Sequence, residues 1–189
     1  MEKKIVYQTL EDRDTDLDKL ESDGPYRCNW DNSWLGEGYY FWDSFIENAH
    51  WWGEARGYLN GYIICKAECD FNDNECFDLV GNTNHLMQIR ETFQYLEKEG
   101  LATKNTTVKR IIEFLQKTKS FPYSATRVYG LKSKHFHSKF GLNLIFEENR
   151  KAVFDVIPTI QICFYKKGSL NLRNYKIIYP NDYRNDYLV

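Results

Sequence analysis

Hydrophobic and polar positions alternate at two different periods along the chain, and the switches between them mark the elements. Residues 3–10 (KKIVYQTL) crowd β-branched and aromatic side chains into a short run, which predicts a first strand. Residues 11–23 are acidic and loop-like, with a single helical turn expected around Leu17 and Leu20, and Gly24-Pro25 signals a turn. Residues 39–42 (YYFW) predict a short aromatic strand. Asp43 can cap the helix that follows, and Ser44 with Glu47 matches a capping box. That helix carries Phe45, Ala49 and Trp52 and is expected to end near Gly53, before a strong strand over 58–69.

The middle of the chain changes to a helical period. Leu86, Ile89, Phe93 and Leu96 share one face of a helix that Thr83 opens and Gly100 stops. Val108, Ile111, Ile112 and Leu115 do the same over 106–117, leaving Lys109, Arg110 and Lys117 on the outer face. Strands are expected again over 142–146, 160–165 and 175–179. No repeat or linker interrupts the pattern. Strands, then helices, then strands predict one α+β domain over residues 1–189.

Composition narrows the class. With 42% hydrophobic and 28% charged residues, 11 Gly and 4 Pro, the chain is neither collagen-like nor largely disordered. Aromatic residues reach 16%, enough to supply both core mass and stacking platforms. No apolar run approaches the roughly 20 residues that span a bilayer, and the N-terminus lacks a leader-like apolar stretch. A cytoplasmic protein with no membrane partner is therefore expected. The five cysteines, an odd and scattered number, read as reduced thiols.

Charge is polarised. Residues 1–100 hold 9 Lys and Arg against 21 Asp and Glu, a net of −12, whereas residues 101–189 hold 16 against 6, a net of +10. Within 104–139, Lys104, Lys109, Arg110, Lys117, Lys119, Arg127, Lys132, Lys134 and Lys139 face Glu113 alone. The two halves can neutralise each other within the fold. The local patch also suits a polyanion such as nucleic acid, or an acidic partner protein.

The segment 35–52, LGEGYYFWDSFIENAHWW, carries the most chemistry. Gly36 and Gly38 permit a tight turn or a close approach and lead straight into consecutive aromatics. Alternation puts Tyr40 and Trp42 on one face and Tyr39 and Phe41 on the other. One face can fill a core while the other offers a flat ring to a planar ligand, although an aromatic hairpin that only packs has the same pattern.

This segment resembles the second signature of the ADP-ribosyltransferases, in the branch of diphtheria toxin and the poly-ADP-ribose polymerases. The signature is a glycine-led strand, Tyr-Phe, and a helix with a small residue beneath the NAD site. The resemblance implies a split β-sheet core with helices, NAD as co-substrate and no metal. It makes Tyr40 the ring that stacks on nicotinamide, with Gly36, Gly38, Phe41, Ala49 and Trp52 around it. Gln8 and Thr9, in Val-Tyr-Gln-Thr, fall where many members have Tyr-His-Gly-Thr. Gln8 would then bond the ribose or the carboxamide in place of histidine. Gln161, in Ile-Gln-Ile-Cys-Phe-Tyr, falls where members open a later strand with Glu. Asp155, Glu147 or Glu148 would hold that role if the strand aligns differently.

A neutral amide orients a ribose but brings no charge to the developing cation, so transfer of a single ADP-ribose is expected rather than polymer formation. Arg13, Arg27 or a basic residue from the later half of the chain would hold the pyrophosphate. The resemblance further implies a macromolecular acceptor, and the basic half favours nucleic acid, RNA or single-stranded DNA, over protein. It also suits a toxin module with an acidic antitoxin. The alternative is a binding module that keeps the fold and has lost turnover.

Other patterns are weaker. Cys65, Cys69, Cys76 and His85 are spaced C-x3-C-x6-C-x8-H and lack paired C-x2-C knuckles. His135 and His137, in KHFHSK, could serve a metal-free nuclease or belong to a solvated basic loop. Residues 70–78 (DFNDNECFD) lack the glycine and closing glutamate of a calcium loop and read as an acidic turn.

Overall fold

The computed structural model describes residues 2–130, 139–148 and 152–181. Alternating burial along β1 (Glu2–Glu11) and β3 (Tyr62–Phe71) lets them pair antiparallel along their whole lengths, from Glu2 opposite Phe71 to Glu11 opposite Tyr62. Between them lie α1 (Leu17–Asp23), β2 (Tyr39–Asp43) and α2 (Ile46–Arg56). After β3 come β4 (Cys76–Asp78), α3 (Thr83–Lys98), α4 (Val108–Lys117) and β5 (Ala125–Tyr129). The chain ends in β6 (Asn143–Ile145), β7 (Val153–Asp155), β8 (Ile160–Phe164) and β9 (Arg173–Tyr179).

Seven strands form one mixed sheet in the order β4-β5-β8-β2-β1-β3-β9, in which only β4 and β5 run parallel, and β6 pairs with β7 separately. The described residues make one α+β domain with four helices. One sheet face buries Val6, Phe41, Ala67, Ile162 and Phe164 together. Further along that face, α1 sets Leu20 against Ile63, Cys65 and Ile177. The opposite face is covered at two places. Through Ala49, α2 packs on Trp42 and Ile64, and through Ile112, α4 packs on Cys163 and Tyr40.

The helical period is realised where it is cleanest. Asn82 caps α3 by accepting from the Asn84 and His85 N–H groups, and Thr107 caps α4 by accepting from Arg110. Their apolar stripes meet, Ile89, Phe93 and Leu96 against Ile111 and Leu115. Around α2 the expected signals serve other ends. Its N-cap is Phe45, without a side-chain bond, so the capping box is not made. Asp43 is buried instead and bonds Arg127 at 2.7 Å. Gly53 does not stop the helix. A Cβ there would come within 2.3 Å of the Tyr62 ring, so the glycine admits that ring and the helix runs on to a left-handed Gly57.

Three strands, β4, β5 and β7, go beyond the expected elements. The acidic run 70–78 supplies the end of β3, a turn and β4. Arg127, read from sequence as part of a basic surface, lies inside β5 and bonds Asp43 (2.7 Å) and Asp78 (3.1 Å). Burial opposes its charge, but the two carboxylates outweigh that and raise its pKa.

Candidate functional site

The site is a fork in the sheet. β1 and β2 pair only through Val6–Asp43 and Tyr7–Trp42, after which β1 follows β3 and β2 follows β8. Beside the opening lies a cleft of about 780 Å³ to which Gln8, Thr9, Tyr40, Trp52 and Gln161 all contribute. Residues from the first strand, the aromatic strand, its helix and the late strand thus meet at one place. Gly36, Gly38, Phe41 and Ala49 do not line it. Phe41 is core, edge-on to Phe164 at 5.5 Å. Ala49 accepts a bond from the Thr9 hydroxyl at 2.9 Å, which docks α2 onto β1.

Tyr40 is half-buried with its hydroxyl fixed. The oxygen accepts from the Leu35 N–H at 2.9 Å and donates to the Gly36 carbonyl at 2.7 Å. Burial, together with the nearby Cys163 thiol, pushes the phenol far above its usual range, so it stays neutral. The two glycines differ in purpose. Gly36 adopts a left-handed φ of +90° at the turn. Gly38 lets β2 approach β8, where a Cβ would stand 2.4 Å from the Cys163 sulfur and 2.7 Å from the Phe164 carbonyl oxygen.

The two glutamines are used differently. Gln8 Nε2 donates to the carbonyls of Tyr26 (2.8 Å) and Tyr40 (3.4 Å). Its Oε1 accepts from the Tyr26 N–H (3.0 Å) and the Tyr175 hydroxyl (2.8 Å). Both donors and both lone pairs are taken, so Gln8 ties the splayed strands and the Tyr26 segment together. A ligand bond from this amide would require one of these to break. Gln161 stands opposite Trp42 in the β8–β2 ladder, diagonal to Tyr40 and on the same face. It is half-buried, and its amide has no hydrogen-bond partner among the described residues. Asp155, Glu147 and Glu148 do not line the cleft. Asp155 is on β7, accepting from the Tyr129 hydroxyl at 3.3 Å, and the two glutamates are exposed.

Among the described residues three arginines line the cleft against one carboxylate, Glu11. Arg13 pairs with Glu11 at 2.8 Å and Arg27 with Glu37 at 3.0 Å. Arg56, the last residue of α2, escapes a sequence reading. Its guanidinium lies over Trp30 at 4.7 Å, Trp52 at 5.6 Å and Tyr58 at 5.9 Å. The sequence signal was present in part, since Trp52 and Arg56 are one helical turn apart, but Trp30 comes from a distant loop. Trp30 and Trp34 also line the cleft, 46% and 38% exposed.

Of the basic stretch, Lys104, Arg110, Lys117 and Lys119 are exposed on and around α4. Lys109 donates to the Asp31 carbonyl at 3.2 Å, which brings this basic face against the loop that forms the tryptophan rim. Lys139 pairs with Glu54 at 2.9 Å. Lys132, Lys134, His135 and His137 lie outside the described residues.

Among the described residues no three His, Cys, Asp or Glu side chains are grouped to hold a metal ion. His85 is spent on the fold: Nδ1 accepts from the Asp78 N–H at 2.9 Å and Nε2 meets the Tyr123 hydroxyl at 3.0 Å. All five cysteines are free, and burial pushes the Cys65 and Cys69 thiols up to about 12. No described helix is long and apolar enough to cross a membrane. No protein-family model, curated protein sequence or solved structure matches this chain.

Proposed function

We propose that the forked cleft binds NAD on an ADP-ribosyltransferase-like scaffold and that the chain transfers one ADP-ribose to a macromolecule. The observation that supports this most is the arrival of Tyr40 and Gln161, far apart in sequence, on one face of one cleft where the sheet divides. Its volume of about 780 Å³ lies within the range of small-ligand pockets, and its lining combines flat rings, an unspent amide and arginines. NAD supplies an electron-poor ribose carbon whose bond to nicotinamide breaks, the pair leaving with nicotinamide as the acceptor atom bonds and releases its proton.

The side chains position rather than react. Tyr40, anchored through its hydroxyl, lines the cleft and is the ring on which nicotinamide would stack. Gln161 donates to or accepts from a ribose hydroxyl without charging the site. A carboxylate there would add several kcal/mol of stabilisation as positive charge develops, so turnover is slow and stops at one transfer. The exposed lysines and arginine around α4 favour RNA or single-stranded DNA as acceptor, and an acidic antitoxin would dock on the same face. A cytoplasmic toxin module is the biological setting that fits.

One observation favours a second reading. The only carboxylate lining the cleft among the described residues, Glu11, is engaged by Arg13, so a binding module that holds NAD without turnover has the same lining. Labelled NAD incubated with the protein and total RNA, DNA or lysate separates them. Covalent label on any acceptor, increased in Gln161→Glu, supports transfer. Binding of NAD without label supports the module. Label on nucleic acid should fall steeply as salt rises, whereas salt-independent label points to protein.

A further inference from the structure

We infer that Arg56, Trp30 and Ser33 form a nucleoside-diphosphate subsite at the mouth of the cleft, with Arg56 as its diphosphate-binding residue. The inference deepens the NAD reading, because it names where the ADP half of such a ligand rests.

Arg56 is singled out by its partners. Of the three arginines in the cleft, Arg13 and Arg27 have carboxylates at 2.8 and 3.0 Å, and Arg56 has none among the described residues. Its guanidinium is instead held on the rings of Trp30, Trp52 and Tyr58. These ring contacts use no N–H donor, and among the described residues no acceptor takes one, which leaves the donors to fork onto a phosphoryl group. The surrounding rings fix the orientation of those donors beforehand, so little rotamer freedom is lost on binding. The C-terminal end of α2, where the helix dipole is negative, favours a cation at this position in the empty and filled states alike.

A second, independent observation points the same way. Ser33, 8% exposed, lines this cleft between Trp30 and Trp34, and its hydroxyl has no hydrogen-bond partner among the described residues. A buried hydroxyl left unpaired is costly to a fold and is relieved by a ligand oxygen or nitrogen. Trp30, 46% exposed, adds an aromatic surface on which a purine can lie. A bidentate cation, an unpaired hydroxyl and an exposed indole match a nucleoside diphosphate better than a bare anion or a bare base.

Titration calorimetry with ADP, adenosine and inorganic pyrophosphate tests the subsite on the whole chain. The wild-type protein should bind ADP at least tenfold more tightly than adenosine. Arg56→Gln should reduce ADP binding to the adenosine level with an unchanged melting temperature, and Arg56→Lys should recover only part of it. Trp30→Ala should weaken ADP and adenosine most and pyrophosphate less, because pyrophosphate loses only one of the rings that hold Arg56. Equal binding of ADP by Arg56→Gln and wild type overturns the inference, as does a wild-type protein that prefers neither ADP nor pyrophosphate. Arg56-dependent ADP binding without any transfer of label would retain the subsite and reject the transferase. Transfer indifferent to Arg56→Gln would do the reverse.

Discussion

The phenol of Tyr40 donates to the carbonyl of Gly36 at 2.7 Å, so the residue expected to present a ring is anchored by the turn that leads into its own strand. The Leu35 N–H donates to the same oxygen, and the ring packs against Leu35 and Ile112. Tyr40→Phe keeps the ring and orphans both partners, at a cost of about 1–3 kcal/mol, with any NAD binding retained. Tyr40→Leu should lose NAD binding as well. Thermal melts and calorimetry on the two variants separate anchor from ring.

Gly36 and Gly38 should respond to alanine for different reasons. At Gly38 the new Cβ meets the Cys163 sulfur and the Phe164 carbonyl, forcing β2 away from β8, with a loss of about 1–3 kcal/mol. At Gly36 no other described residue comes within 4 Å of the new Cβ, and the left-handed φ of +90° is what opposes a side chain, costing about 1–2 kcal/mol. Denaturant midpoints should rank wild type above Gly36→Ala and Gly36→Ala above Gly38→Ala.

Cys28 should report on any ligand that fills the cleft. It lines the opening and is half-buried, while Cys65, Cys69, Cys76 and Cys163 are buried. Burial pushes the Cys163 thiol up to about 12. Iodoacetamide under native conditions should modify one thiol of the five, and NAD should slow that reaction several-fold. Mass spectrometry of the alkylated protein checks both, and modification of several thiols, or no protection, would count against the site.

His50 should make stability fall in mild acid. Burial, and to a lesser degree Lys139, holds its imidazole below the usual 6.5, outweighing Glu54 and Glu47. The ring packs edge-on to Tyr179 at 4.7 Å, and its Nδ1 meets the Tyr62 hydroxyl at 3.1 Å. Below pH 6.5 the unfolded chain takes up a proton that the folded chain refuses, so stability is lost as pH falls until the folded imidazole also protonates. Melting temperatures between pH 7.5 and 5 should drop more steeply for wild type than for His50→Gln.

Periodicity carried the two long helices and the strong strands, because α3 and α4 bury stripes that the 3.6-residue repeat already displays. It could not carry β4 and β5, whose pairing of Cys76 with Ala125 joins segments 49 residues apart. Arg127 reads as a surface cation until Asp43 and Asp78 are seen beside it, and the same contact removes Asp43 from its expected capping role. In the cleft, Tyr40, Trp52 and Gln161 were legible from their motifs. The saturation of Gln8 was not, because Tyr26 and Tyr175 reach it from distant segments. Arg56 was hidden for the same reason, since its cage exists only once Trp30 folds against α2.

Adenine-labelled NAD given to wild type and to Gln161→Ala, each with the same mixture of RNA, DNA and cell proteins, addresses the chemistry of the cleft most directly. Label should become covalently attached with wild type and be absent with Gln161→Ala, while the two proteins melt alike. A wild-type protein that neither attaches label nor binds NAD would contradict it.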